Sequence, residues 1–277
     1  MKESECIDIT PDAFSAVIFD LDGVVTDTAA LHARAWKRMF DAYLADKNQE
    51  EGASYAPFDE QDEYLQYVDG KPRYNGVADF LKARGIELEW GDPKDSPEKE
   101  TVCGLGNRKN QIFQDLLSQG EVDVYESTVA LIRRLRIDQV KTAIVSSSKN
   151  CRNVLESAGI SDLFDARVDG VDSEELSLAG KPAPDIFLQA AKQLSVEPKN
   201  AVVVEDAQAG VEAGKKGAFG CVIGVDRTGQ AEALRSHGAD VVVSDMAVVT
   251  VGGNPVFGDG GTPPLPGALK NIDEILG

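Results

Sequence analysis

The sequence predicts an α/β protein built on a doubly wound parallel sheet, with a helical domain inserted into it. Short runs of apolar, mostly β-branched residues recur along the chain, and helix-like sequence separates them. Strands that are apolar on both faces and alternate with amphipathic helices are typical of a parallel sheet covered on both sides. The runs occupy residues 16–19, 142–145, 201–204, 221–223 and 241–243.

The helical insertion is predicted because the first two runs stand too far apart for a single crossover helix. Residues in this interval repeat apolar side chains at helical spacing. We therefore expect residues 29–120 to form an inserted α-helical domain, and residues 1–28 with 121–277 to form the core. The apolar positions are Leu31, Ala35, Trp36, Met39, Phe40, Tyr43, Leu44, Val77, Phe80, Leu81, Ile112, Phe113, Leu116 and Leu117.

Three further segments are predicted to lack regular structure. Residues 45–64 and 89–100 are strongly charged, and we expect both to be solvated loops. Residues 252–267 are rich in Gly and Pro and are expected to be irregular.

Composition limits the partners. The chain has 28 Lys and Arg against 47 Asp and Glu, a formal net charge of −19. Nucleic acids and anionic membranes are bound by clustered Lys and Arg, so neither is an expected partner. A phosphate-bearing substrate would need local cations at its own site.

The cysteines and the N-terminus indicate a soluble cytoplasmic protein, expected to be a monomer or a weak oligomer. Cys6, Cys103, Cys151 and Cys221 form no CxxC pair and are expected to be reduced thiols. The N-terminus has no apolar signal region, and no apolar run approaches the ~20 residues of a membrane helix.

Acidic residues follow two of the predicted strands. Asp20 and Asp22 follow the first, and Glu205 and Asp206 follow a later one. The carboxyl ends of parallel strands meet at one edge, where crowded carboxylates raise one another's pKa. A Mg²⁺ ion with oxygen ligands would relieve that repulsion. Taken alone, the two acidic pairs are equally consistent with solvated strand ends.

Two other strand-end features favour phosphoryl chemistry. In "AIVSSSKN", Ser146 and nearby backbone N–H groups follow a strand and precede a helix, where an oxyanion can bind. In "GKPAPDIF", Lys181 can neutralise phosphoryl oxygens in a transition state. Each feature alone fits an ordinary turn or surface residue, but their order at successive strand ends predicts one site.

These motifs resemble a known family. "DLDGVVTDT", "SSSKN", "GKPAPDIF" and "VVVEDAQAG" are similar to the four motifs of the haloacid dehalogenase superfamily, over about residues 15–245 and with the β-phosphoglucomutase group as the best match. The resemblance implies a Rossmann-like catalytic core with a helical cap. It implies that Asp20 is the nucleophile, that Asp22 is the general acid and base, and that Ser146 and Lys181 hold the phosphoryl group.

The resemblance also implies a metal and a substrate site. Mg²⁺ would be held by Asp20, Glu205, Asp206 and the carbonyl of Asp22. His32, which follows Thr28 by one helical turn, would lie near the acid and base and contact a cap lysine, Lys109. His237 is instead expected to end a helix. The substrate-binding residues implied are Gly70, Arg73, Lys109, Ser147, Ser148, Lys149 and Asn150.

The activity implied is conversion of β-glucose 1-phosphate to glucose 6-phosphate through phospho-Asp20 and a bisphosphate. A sugar-phosphate or sugar-bisphosphate phosphatase with the same residues is the alternative. A receiver-like signalling module is a further alternative, which the inserted domain and Asp22 disfavour. Asp69 stands where many members of the group have lysine, and this departure bears on the substrate more than on the chemistry.

Overall fold

A computed structural model of the protein describes residues 7–52, 54–68, 73–120 and 122–257. The chain divides into two compact units. The core unit consists of Met1–Asp27 and Asp123–Gly277, and the inserted unit consists of Thr28–Val122.

The strands and helices follow one another as an α/β chain. The strands are β1 Ile7–Ile9, β2 Ala16–Asp20, β3 Thr26–Asp27, β4 Asp123–Val124, β5 Lys141–Val145, β6 Ala166–Val168, β7 Ala201–Glu205, β8 Cys221–Val225, β9 Val241–Val243, β10 Val249–Val251 and β11 Asn254–Pro255. The α-helices are α1 Thr28–Glu51, α2 Arg73–Ala83, α3 Val102–Ser118, α4 Glu126–Ile137, α5 Cys151–Ser157, α6 Gly170–Glu175, α7 Asp185–Leu194, α8 Gln208–Lys216 and α9 Ala231–Ser236.

A parallel sheet with the strand order β6-β5-β2-β7-β8-β9 forms the centre of the core unit. In chain order these are its third, second, first, fourth, fifth and sixth strands, the doubly wound arrangement that the sequence predicts. Every residue of β2 is buried, as expected for a strand covered on both faces. The order reverses between β2 and β7, and ligand sites of such sheets lie outside the carboxyl ends of the strands at that point.

Two predictions for the core unit were incomplete or wrong. Strand β6 was not predicted, because its three residues include Arg167 and give no apolar run. The segment 252–267 was expected to be irregular, but β11 pairs with β10, which also pairs with β1. Residues 258–267 lie outside the described part of the chain.

The inserted unit is helical, and its predicted apolar stripes are confirmed. Trp36, Phe40 and Phe80 are buried in one aromatic cluster, in which the rings of Phe40 and Phe80 lie 4.0 Å apart. Trp36 is 4% exposed and therefore belongs to this core, as expected.

The prediction that residues 45–64 form a solvated loop was wrong where α1 extends into the segment and where Phe58 is buried, whereas residues 54–61 are neither helix nor strand and are mostly exposed. Helix α1 continues to Glu51, because these charged residues are good helix formers. Phe58 is then buried in the aromatic cluster. Its backbone is fixed by Asp41 Oδ1, which accepts from the Phe58 N–H at 2.7 Å, and by Lys37 Nζ, which donates to its carbonyl at 2.9 Å. Residues 89–100 contain neither helix nor strand, as predicted.

The remaining expectations concern thiols, a histidine and membranes. Cys103, Cys151 and Cys221 are free thiols, and Cys6 lies outside the described residues. His237 caps the C-terminus of α9, and its N–H donates to the Ala233 carbonyl at 3.1 Å, as predicted. Among residues 7–257, apart from the gaps given above, no helix has the length and apolar character to cross a bilayer.

Candidate active site

The candidate site lies where β2 and β7 end side by side. Phe19 of β2 is in register with Val204 of β7, so Asp20 and Glu205 follow at the same edge of the sheet. Both carboxylates are buried, at 6% and 1% exposure. The sheet order therefore unites acidic residues that are far apart in sequence.

Lys181 connects these two carboxylates. Its ammonium contacts Asp20 Oδ1 and lies 2.5 Å from Glu205 Oε1. Burial alone would lower the pKa of Lys181, but the two carboxylates outweigh burial and raise it. The lysine is therefore a fixed cation at the end of β2.

The pKa of Asp20 is raised well above its usual value. Burial is the largest cause, and Lys181 opposes it. Repulsion from Glu205, Asp22 and Asp206 raises the pKa further. This edge of the sheet thus carries more negative charge than Lys181 offsets.

Asp22 lies directly beside Asp20. The Asp22 N–H donates to Asp20 Oδ2 at 3.0 Å, and Ser146 Oγ donates to Asp22 Oδ2 at 3.2 Å. Ser146 Oγ also accepts from the Ser148 N–H at 3.1 Å. Asp20 thus contacts the ammonium of Lys181, whereas Asp22 accepts a hydrogen bond from a hydroxyl. Carboxylates with such different surroundings can take different chemical roles.

Glycine lets two backbone segments approach the carboxylates. Gly23 has φ +80°, and a Cβ there would fall 1.9 Å from Asp206 Oδ2. A Cβ at Gly210 of α8 would fall 1.7 Å from Glu205 Oε1. The sequence reasoning missed Gly210, although its place one helical turn after the acidic pair in "VVVEDAQAG" is a usable signal.

We expect Gly23→Ala to disrupt the site far more than a glycine substitution elsewhere. Alanine at a positive φ costs about 1–2 kcal/mol, and the overlap with Asp206 adds about 1–3 kcal/mol. Gly159→Ala is the matched control, since Gly159 has φ +65° with open space around it. Urea unfolding and turnover should show that both variants lose stability, while Gly23→Ala alone loses activity, by roughly 100-fold. Equal activity in the two variants would contradict the role given to this close approach.

The donor set fits a hard divalent cation. Four carboxyl groups crowd this edge, and the pKa of Asp206 is raised to about 7 by burial and by repulsion from Glu205 and Asp22, against the pull of Lys181. Buried oxygen ligands that repel one another are what Mg²⁺ stabilises. In the present geometry, the described residues contain no group of three or more His, Cys, Asp or Glu side chains arranged to hold a metal.

A cationic cluster lies within the inserted unit. Lys109 Nζ is 2.6 Å from His32 Nδ1, and the His32 ring stacks on Phe113 with 4.2 Å between centroids. Burial lowers the pKa of His32 well below its usual value, and the charges of Lys109 and Arg73 lower it further. Since an ammonium cannot accept a hydrogen bond, we assign Nδ1 as the acceptor, which leaves the proton on Nε2.

Arg73 supplies a further cation of this cluster. It is the first residue of α2 and is partly buried. Gly106 of α3 makes room for the neighbouring Tyr74 ring, since a Cβ there would fall 2.6 Å from Tyr74 Cδ1. Among the residues described, no carboxylate forms an ion pair with Arg73. Its guanidinium carbon lies 5.9 Å from the centroid of the Tyr74 ring.

The other predicted site residues are placed as follows. Thr28 is buried at the start of α1, one turn before His32. Ser148 Oγ accepts from the Asn150 N–H at 3.1 Å. Ser147 and Lys149 are exposed, and Lys149 pairs with Glu174 at 2.6 Å. Gly70 and Asp69 lie outside the described residues.

Known proteins match this chain over most of its length. The family model described as haloacid dehalogenase-like hydrolase matches residues 14–217. A β-phosphoglucomutase of Mycobacterium bovis is 49% identical over 240 residues, 86% of this chain and 92% of that protein. One of Bacillus subtilis is 35% identical over 237 residues, 85% of this chain and 92% of that protein. The crystal structure of a β-phosphoglucomutase from Clostridium difficile superposes on this chain with a TM-score of 0.62 and a sequence identity of 28%. The match covers 84% of this chain and 92% of that one.

Proposed function

Because the chain belongs to the haloacid dehalogenase-like hydrolase family and is an enzyme of that superfamily, we propose that it interconverts β-glucose 1-phosphate and glucose 6-phosphate. The observation that carries the proposal is its high identity to a β-phosphoglucomutase over nearly the whole of both chains. The site residues support phosphoryl transfer, since a buried carboxylate, a fixed lysine and a second carboxylate lie together at the end of β2.

The proposed reaction begins with phospho-Asp20. The 6-hydroxyl of β-glucose 1-phosphate attacks the phosphorus of phospho-Asp20, the bond between this phosphorus and the Asp20 oxygen breaks, and glucose 1,6-bisphosphate forms. The bisphosphate then reorients in the site, and Asp20 attacks the phosphorus of the 1-phosphate. Glucose 6-phosphate leaves, and phospho-Asp20 is regenerated.

Asp22 is proposed to move the protons of both steps. It accepts the proton of the attacking 6-hydroxyl and later gives it to the departing oxygen at C1. The donated hydrogen bond from Ser146 orients its carboxylate. The contact between the Asp22 N–H and Asp20 Oδ2 keeps the nucleophile and the acid and base at a fixed separation.

Lys181 and a metal are proposed to balance the charge. The carboxylates of Asp20, Glu205 and Asp206 and the main-chain carbonyl of Asp22 are the groups that would hold Mg²⁺. When bound, Mg²⁺ would offset the negative charge of the transferring phosphoryl group. Lys181 is already fixed between Asp20 and Glu205 and supplies positive charge without reorganisation.

Arg73 is proposed to bind the phosphate that is not reacting. A mutase must hold a bisphosphate by its second phosphate, and a guanidinium suits that group because it can donate two parallel hydrogen bonds. The positive charges of Arg73 and Lys109 also stand out in a chain with a net charge of −19. A simple phosphatase needs no such grip on a second phosphate.

We expect Arg73→Ala to lower mutase turnover by about 100-fold or more, since a charged hydrogen-bonding partner is lost. Hydrolysis of p-nitrophenyl phosphate, which has no second phosphate, should change little. Arg38→Ala, at an exposed arginine of α1, is the matched control and should leave both rates unchanged. An equal loss of both activities in Arg73→Ala would argue against this assignment. Release of inorganic phosphate as the main wild-type product would favour the phosphatase alternative.

The cytoplasmic location and the monomeric or weakly associating state expected from the sequence stay predictions.

A further inference from the structure

Arg227, in the loop after β8, reaches the candidate site from a part of the chain that none of the four motifs includes. Its Nε donates to the Gly23 carbonyl at 2.9 Å. Gly23 directly follows Asp22 and packs against Asp206. The arginine therefore holds the peptide group that ends the Asp20–Gly23 turn.

The same guanidinium stacks on Tyr125, with 3.6 Å from its central carbon to the ring centroid. Tyr125 directly follows β4, which pairs with β3. The Tyr125 N–H donates to the Val25 carbonyl at 2.9 Å. The contacts thus run from Gly23 through Arg227 and Tyr125 back to Val25, two residues further along the same turn.

The loop that carries Arg227 is itself fixed. The Asp226 N–H donates to the Val243 carbonyl at 2.7 Å, and Asp226 Oδ1 accepts from the Gln230 N–H at 2.7 Å. Arg227 Nη1 donates to the Ser244 carbonyl at 3.4 Å. The guanidinium therefore extends from a loop that several hydrogen bonds hold in position, and its own hydrogen bond connects this loop to Gly23.

Arginine can make the stacking contact and the hydrogen bonds together, whereas lysine could keep only a donor to the Gly23 carbonyl. Its flat face stacks on the tyrosine ring while its edge donates to carbonyls in different directions. Arg227 Nη2 is buried and has no hydrogen-bond partner among the described residues.

We propose that Arg227 is a positioning residue for phosphoryl transfer, which holds the Gly23 carbonyl and so fixes Asp22 relative to Asp20 and Asp206. This inference rests on the proposed function, since it assigns Asp20 and Asp22 their roles. Loss of the anchor should slow the chemical step by about 10- to 100-fold, the range expected when reacting groups are slightly misplaced.

The test compares Arg227→Met with Arg136→Met. Arg136 is the matched control because its Nη1 also donates to a main-chain carbonyl, that of Leu163, at 3.2 Å. Acid-quenched single turnovers give the rate constant and the amplitude of phosphoenzyme formation separately. We expect Arg227→Met to lower the rate constant with near-normal amplitude, and Arg227→Lys to recover part of the rate. A lowered amplitude with an unchanged rate constant would show a merely structural role and overturn the proposal.

The carbonyl ¹³C signal of Gly23 provides a readout that does not depend on activity. Its chemical shift should change in Arg227→Met, because the carbonyl loses its hydrogen-bond donor. The chemical shift should be unchanged in Arg136→Met. An unmoved signal would overturn the proposal. If Arg227→Met does not fold, Tyr125→Leu removes the stacking partner and should shift the same signal. A wild-type protein that forms no phosphoenzyme would refute the proposed function, while the carbonyl signal would still decide whether Arg227 anchors Gly23.

Discussion

Asp20→Asn should abolish turnover and phosphoenzyme formation, with a loss of at least about 10⁴-fold in kcat. Asparagine keeps the size of the side chain but lacks a carboxylate oxygen that can form an acyl phosphate. Lys181 keeps its contact with Glu205, so the fold of the site should persist. The measurement is acid-quenched labelling of the protein by a radiolabelled phosphoryl donor, alongside steady-state turnover.

The matched control is Asp138→Asn, which removes a carboxylate from a surface pair with Arg134. This variant should label and turn over like the wild type, since the loss of one surface ion pair has little effect. Appreciable labelling of Asp20→Asn at the wild-type rate would remove Asp20 from the role of nucleophile.

Asp22→Asn should lower turnover by about 10²- to 10⁴-fold, the usual contribution of general acid–base catalysis. The substituted amide has no proton acidic enough to give to the leaving oxygen, and it is too weak a base to accept the proton of the sugar hydroxyl. The Asp22 N–H contact with Asp20 Oδ2 comes from the backbone and survives the change. Substrate binding should therefore change little, and isothermal titration with the sugar phosphate, together with turnover, separates binding from chemistry.

Ser146→Ala is the companion variant, because it deletes the hydroxyl that donates to Asp22 Oδ2 without altering the carboxylate. We expect its loss to be smaller than that of Asp22→Asn. A normal rate in Asp22→Asn would refute the acid and base assignment. A larger loss in Ser146→Ala than in Asp22→Asn would show that the serine acts chiefly on something other than Asp22.

The sheet was predictable because its strands are buried on both faces and read as unbroken apolar runs. Strand β6 escaped prediction because Arg167 interrupts a run of only three residues. The end of α1 was not predicted, because its charged helix-forming residues have the same composition as a solvated loop. Phe58 could not be placed, since its burial depends on distant Phe40 and Phe80.

The acidic cluster was predictable from the strand ends, whereas the residues that contact the surrounding backbone were not. The carboxyl ends of neighbouring parallel strands must meet, so Asp20 and Glu205 could be brought together without a structure. Arg227 has no such constraint, because it acts through the carbonyl of Gly23, and the sequence does not reveal which carbonyl a side chain contacts. The contact between His32 and Lys109 was expected only because the resemblance implied it, and the structure places their nitrogens 2.6 Å apart.

The most direct test of the proposed function is a ³¹P NMR spectrum of the wild-type protein with Mg²⁺, β-glucose 1-phosphate and a trace of glucose 1,6-bisphosphate. The proposal predicts that the glucose 6-phosphate signal grows as the β-glucose 1-phosphate signal falls, with no matching growth of inorganic phosphate. Inorganic phosphate as the main product, or an unchanged β-glucose 1-phosphate signal, would contradict it.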